Sequence, residues 1–323
     1  MSAASAAAPG GVQRVAVLGA GTIGASWTAL FLAAGLEVRI YDPAAGTQAR
    51  LHEFVERAWP SLERLGLVRV TAPAAPSIYP DPAAAVEGAD WVQENGPENL
   101  DAKRALYAAM EPGLGAAAVV ASSTSGFMPS ELQAGRKGEG RYIVAHPFNP
   151  PHLIPLVELV GGRATEPAAI DRAEAFYRGL GKVTIRVRRE VPGHVVNRMQ
   201  AALYREAINL VLAGVADIED VDRGIAYGPG LRWAIMGPHA THHLAGGRRG
   251  LRHLLEHIGP GLQRWMDDLE GLRITPEVIE RLVAAHEASD PPPIERLEAE
   301  RDALLLALLE TLQTTRRRLA AGT

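Results

Sequence analysis

The sequence contains no cysteine. That absence excludes disulfides, thiolate nucleophiles and cysteine-ligated zinc, and it suits a reducing compartment. Charge of one sign is scarce as well: 33 Lys and Arg against 37 Asp and Glu leave a formal net charge of −4. The one basic cluster is the short "TTRRRL" near the C-terminus, so neither nucleic acid nor an anionic membrane is expected as the main partner. No apolar run reaches the roughly 18 residues of a membrane span. The N-terminal "MSAASAAAPGG" lacks the basic and apolar regions of a signal peptide, and residues 1–12 read as a disordered tail. These absences together describe a soluble, cytoplasmic protein.

A chain of 323 residues has room for a sizeable core and two domains. Short apolar runs predict strands at Val15–Leu18, Glu37–Tyr41, Trp91–Gln93, Ala118–Ala121, Ile143–Ala145, Pro155–Val160 and Val183–Val187. Helical patterns such as Gln48–Leu65 and Leu100–Met110 lie between them. This alternation predicts an α/β domain with a mostly parallel sheet over residues 13–191. After "RREVPG" the strand signals stop, and Val195, Val196, Met199, Leu203, Ile208 and Val211 recur at helical spacing. Residues 192–323 therefore read as an all-helical second domain.

The first strand runs into "GAGTIG", where Gly19, Gly21 and Gly24 have G-x-G-x-x-G spacing. In that pattern the first glycine permits a tight turn, the second lets backbone approach a pyrophosphate, and the third lets helix pack on strand. The helix that follows, from Thr22 and Ile23, offers its free N–H groups to phosphate. The next strand ends in Asp42, where an acid accepts from a ribose and repels a 2′-phosphate. A Rossmann-type domain binding NAD is the expectation.

His146 ends a strand before a Pro-rich turn, and Glu158 lies on the strand after it. A histidine held by a carboxylate is a general acid/base pair, and it is equally a buried structural hydrogen bond. Ser125, in "ASSTSGF", can donate to a substrate oxygen, or it can cap the helix that begins in "MPSEL", as can Ser130. Asn197, in "PGHVVNRM", carries an amide able to fix a carbonyl or hydroxyl.

"GAGTIG", "SSTSG", "HPFNPPHLIPLVELV" and "PGHVVNRM" resemble, in order and spacing, the 3-hydroxyacyl-CoA dehydrogenase superfamily. "NPP…IPLVELV" looks like its L-gulonate 3-dehydrogenase and lambda-crystallin branch, and "SSTSGFMPSELQ", "YGPGLRW" and "LAGG" like its L-carnitine 3-dehydrogenase branch. The resemblance implies an NAD-dependent oxidation of a 3-hydroxyl, with His146 as acid/base, Glu158 as its partner, and Ser125 and Asn197 on the substrate oxygen. It implies that Glu94 and Lys103 line the cofactor and substrate cleft, and that the helical domain dimerises. Ser123 stands where CoA-using members have Asn, which points to a small free acid such as L-carnitine. A thioester substrate would call on Arg248, Arg249 and Arg252 for its phosphopantetheine arm. Trp233 is a cation–π candidate for a quaternary ammonium. His239, His242 and His243 share one face of a predicted helix, as pocket or surface residues or as metal ligands; no metal is expected. A short-chain dehydrogenase is excluded, because none of the 7 tyrosines begins Tyr-x-x-x-Lys.

Overall fold

The computed structural model describes residues 8–322. The chain forms two compact units. The first runs through Arg198 and takes in Asp302–Gln313; the second holds Met199–Arg301 and the chain from Thr314.

One eight-stranded sheet organises the first unit. Its strands are β1 (Arg14–Leu18), β2 (Glu37–Tyr41), β3 (Ser77–Ile78), β4 (Trp91–Glu94), β5 (Val119–Ser122), β6 (Tyr142–Pro147), β7 (Leu156–Gly161) and β8 (Val183–Val187). They lie in the order β3-β2-β1-β4-β5-β6-β7-β8. Helices α1 (Thr22–Ala33), α2 (Thr47–Arg64), α3 (Pro82–Val86), α4 (Leu100–Met110), α5 (Pro129–Gln133) and α6 (Pro167–Gly179) alternate with them. This is the doubly covered, Rossmann-type sheet that the alternating pattern predicts.

The central strand shows why its sequence is continuously apolar. Val15 and Val17 pack in a cluster with Trp27, Phe31 and Phe176, whereas Ala16 and Leu18 pack in another with Tyr107, Val120 and Tyr142. Side chains alternate along a strand, so one covered on both faces needs an apolar residue at every position. α1 is buried from Gly24 to Ala33, in keeping with its lack of a polar face.

All strand pairings are parallel except that of β6 with β7. A parallel return needs a crossover of about a dozen residues or more, and the connection Phe148–Pro155 is too short for one. The chain therefore doubles back, and His146 comes to lie opposite Glu158. This connection is fastened from beneath. His152 bonds Ser26 of α1 through ring Nδ1 and backbone N, both at 2.8 Å. The Lys182 ammonium donates to the carbonyls of Pro151 and Ile154 and lies 5.5 Å from the Trp27 ring centre.

In the β1–α1 turn the glycines divide their work. Gly19 has φ +91, and a Cβ on it would sit 2.7 Å from the Asn95 carbonyl oxygen. A Cβ on Gly24 would sit 1.9 Å from the Gly19 carbonyl oxygen, whereas one on Gly21 would meet nothing within 4 Å.

The structure departs from the sequence reading at three places. β3 has only two residues, both exposed, and no apolar run announces it. Residues 1–7 of the expected tail lie outside the described residues, but its remainder is packed: Pro9–Gly11 form a 3₁₀ turn, and Pro9 and Val12 are buried. The first unit also extends past the expected boundary at residue 192 and recovers a segment of the last helix. Leu306 of that segment is buried with Leu65 and Leu153, and Arg64 pairs with Glu310 at 2.6 Å.

Beyond Val187 the described residues hold no strand. The helices are α7 (Val196–Leu212), α8 (Ile218–Ala226), α9 (Pro229–Trp233), α10 (Pro238–Ala245), α11 (Gly250–His257), α12 (Gly259–Asp268), α13 (Pro276–Ala288) and α14 (Ile294–Ala320). In the second unit Ile208 and Leu254 are buried, whereas Tyr227, Leu231, Leu244, Trp265 and Met266 are at least half exposed. No helix among the described residues is long and apolar enough to cross a membrane.

Two stability predictions follow from this packing. Gly24→Ala should cost about 2–3 kcal/mol or more by overpacking, while Gly21→Ala should change stability by less than about 1 kcal/mol; equal urea midpoints would contradict the assignment. Burial pushes the Lys182 amine from 10.5 down to about 7. Between those values the unfolded chain binds the extra proton, so this residue makes stability rise with pH across that window. Urea unfolding of Lys182→Met from about pH 7 to about pH 10 should lose a slope approaching one proton relative to the unaltered chain, and parallel slopes would contradict this.

Candidate active site

Parallel register gathers the candidate residues on one edge of the sheet. Leu18 pairs with Glu94, Glu94 with Ser122, and Ser122 with Val144. The Gly19 turn, Asn95, the Ser123–Ser125 turn and His146 all emerge at the carboxyl ends of these strands, where open α/β sheets bind ligands.

His146 and Glu158 are both buried, and His146 Nδ1 lies 2.8 Å from Glu158 Oε2. The other carboxylate oxygen accepts from the backbone N–H groups of Val195 at 3.0 Å and Val196 at 3.1 Å, where α7 begins. Burial pushes the Glu158 carboxyl up, but the bonds from His146, Val196 and Val195 outweigh it and hold the group below the usual carboxylate range. The ionised carboxylate accepts, so the ring carries its proton on Nδ1 and leaves the Nε2 lone pair free. Asn197 Nδ2 lies 3.4 Å from that Nε2 and donates to the Ser125 carbonyl at 3.2 Å. An imidazole so oriented can accept a proton at Nε2 beside the Asn197 amide.

Ser125 sits in a turn fastened by Glu98, a residue the sequence reading did not select. Glu98 Oε1 accepts from Thr124 Oγ1 at 2.5 Å, Ser125 N at 3.0 Å and Gly126 N at 3.1 Å. The Ser125 hydroxyl makes no hydrogen bond among the described residues. The capping alternative fails, because Met128 occupies the N-cap of α5 and Ser130 lies inside that helix, bonded to Glu190. Ser123 Oγ donates to Asn95 Oδ1 at 2.7 Å and accepts from Gln93 at 2.9 Å.

The glycine turn borders a cavity of about 580 Å³ lined by Gly19, Gly21, Tyr41, Asp42, Asn95 and Gly96, among others. Asp42 accepts from Ala20 N at 2.6 Å and Ala44 N at 2.8 Å, and a carboxylate with two such bonds can still accept from a ribose hydroxyl. Arg39 turns away from this acid, bonding the carbonyls of Glu87 and Ala84 and lying 4.1 Å from the Tyr79 ring centre. Thr22 and Ile23 open α1, where the first N–H groups have no intrahelical acceptor. Open space over Gly21, an acid without a neighbouring free guanidinium and a helix N-terminus fit NAD.

Glu94 and Lys103, expected at the cleft, are both buried directly behind the Gly96 backbone. Their ion pair, at 2.8 Å, is completed by Tyr107, Ser122 and the Gly96 N–H, all donating to Glu94. A buried charge needs such partners, and here the pair holds Gly96, whose backbone borders the cavity.

Trp233 lies in the helical unit, beside a second cavity of about 650 Å³ shared with Arg232, Met236, His242 and Trp265. The three histidines of α10 do not converge. His242 Nδ1 bonds the Pro238 carbonyl at 2.8 Å, and His243 Nδ1 accepts from Leu251 N at 3.2 Å. Among the described residues no group of three His, Asp or Glu side chains could hold a metal ion.

Two family models match the chain: the NAD binding domain of 3-hydroxyacyl-CoA dehydrogenase over residues 14–191, and its C-terminal domain over residues 193–292. An L-carnitine dehydrogenase from Streptomyces griseus is 46% identical over 91% of this chain and 88% of its own length. One from Streptomyces coelicolor is 44% identical over 96% of each. Among solved structures, a 5-formyl-3-hydroxy-2-methylpyridine 4-carboxylic acid 5-dehydrogenase, an NAD+-dependent dismutase, superposes with a TM-score of 0.82 at 31% identity, over 94% of this chain and 99% of that one. The chain belongs to the 3-hydroxyacyl-CoA dehydrogenase family and is an NAD-dependent oxidoreductase.

Proposed function

We propose that the protein oxidises the 3-hydroxyl of L-carnitine, or of a closely similar small 3-hydroxy acid, to the 3-oxo acid. The observation that carries this reading is the buried His146–Glu158 pair, with Nε2 turned to Asn197, in a chain 46% identical to an L-carnitine dehydrogenase.

His146 takes the proton of the 3-hydroxyl at Nε2, and ionised Glu158 stabilises the imidazolium that forms. The Ser125 hydroxyl and the Asn197 amide hold the oxygen as it becomes a carbonyl. Gly19, Gly21, Thr22, Ile23, Gly24 and Asp42 would hold NAD, which when bound would supply the acceptor for the hydride leaving C3. Glu94 and Lys103 serve that site indirectly, by holding Gly96. Trp233, 43% exposed, has an indole face suited to a quaternary ammonium.

The uncovered apolar side chains of the helical unit support a homodimer, and dependence on a dinucleotide kept inside cells supports a cytoplasmic location. A thioester substrate is the less favoured reading. Two of the three arginines it needs are engaged on their own helix or beside it, Arg249 with His253 and Arg252 with Glu256.

NADH formation, followed by absorbance over L-carnitine, L-gulonate, 3-hydroxybutyrate and 3-hydroxybutyryl-CoA, tests the substrate. L-Carnitine should exceed each of the others by about a hundredfold in kcat/KM. Turnover of the thioester alone, or of another free acid with carnitine inert, would contradict the proposal.

A further inference from the structure

A second histidine lies against the first. His194 is fully buried just before α7, with its ring centre 5.4 Å from that of His146 and the planes inclined by 52°. Its backbone has φ +51, in the left-handed region that few residues with side chains enter. Ring Nε2 lies 3.3 Å from the Thr124 carbonyl. A carbonyl only accepts, so Nε2 carries the proton. Nδ1 then holds a lone pair, and it has no partner in its buried setting.

We infer that His194 is a positioning residue of this active site, which in its neutral Nε2–H form holds the Ser125 turn against the His146 ring. The inference rests on the proposed role of His146. The contacts form a closed circuit: His194 holds the Thr124 carbonyl, the next carbonyl, that of Ser125, receives the Asn197 amide, and that amide adjoins His146 Nε2. Losing the first contact leaves the turn that carries the Ser125 hydroxyl held by Glu98 but no longer tied through Thr124 to the segment that ends at Asn197.

Neutrality is part of the role. The titratable groups acting on His194 are His146 on β6, Glu158 on β7 and Glu98 before α4; Arg198, on its own segment, turns to the Pro192 carbonyl. Burial pushes the imidazole below its ordinary range and the neighbouring His146 adds to this, against the opposing pull of the Thr124 bond and the two carboxylates. When His146 takes a proton, a second cation on His194 would face it across 5.4 Å.

Nitrogen-15 NMR of the unaltered, histidine-labelled enzyme should show His194 as the neutral Nε2–H tautomer at pH 7. An Nδ1–H tautomer, or a cation at pH 7, would overturn the inference without touching the proposed reaction. Kinetics supply the second arm, on whichever 3-hydroxy acid the unaltered enzyme oxidises. His194→Phe keeps a ring but loses the donor, and should lower kcat about tenfold or more with NADH affinity and KM for NAD nearly unchanged. His194→Gln returns an N–H near the Nε2 position and should recover most of that loss. Full activity in the Phe variant, or equal loss in both, would overturn the inference.

Discussion

The buried carboxylate of Glu158 carries three hydrogen bonds, and they tie together three elements of the fold. One oxygen holds the imidazole of His146 on β6; the other holds the first N–H groups of α7. A carboxylate taken out of water is tolerated only when its lone pairs are met by donors. Here those donors are a ring N–H and a helix N-terminus, whose partial positive charge favours an anion. Satisfying this one charge sets the His146 tautomer and places Asn197, immediately after Val196, beside the free ring nitrogen.

The sheet makes that arrangement reachable. Four parallel strands deliver the glycine turn, Asn95, the serine turn and His146 to one edge, and a single reversal brings Glu158 opposite His146. The supports behind these residues are polar, and all but the exposed Glu98 are buried. Glu98 fastens the serine turn, the Glu94–Lys103 pair fastens Gly96, and Lys182 with His152 fastens the β6–β7 connection to the rest of the unit. Each substitutes a side chain for a backbone hydrogen bond that the turn cannot make for itself.

Much of this was legible in the residues. β1, the glycine turn and α1 were readable because a buried parallel strand must be apolar throughout, and a tight turn closing on a helix needs glycine. The His146–Glu158 pairing was readable as a possibility; only the antiparallel register decides that the two side chains meet. Glu98 was hidden because two of its three donors are backbone N–H groups, which leave no mark on the sequence. β3 was invisible, having two exposed residues and no pattern. The return of Asp302–Gln313 to the first unit was equally hidden, since a Leu-rich stripe does not name the surface it covers.

The central claim is that His146 and Glu158 act as one unit. A double-mutant cycle tests it most directly: kcat/KM on the substrate that the unaltered enzyme oxidises, for His146→Ala, Glu158→Gln and the two combined. Each single change should cost about a hundredfold or more, and the pair no more than roughly the larger single loss. Losses that multiply in the double variant would mean that the two residues contribute independently, and would contradict the account.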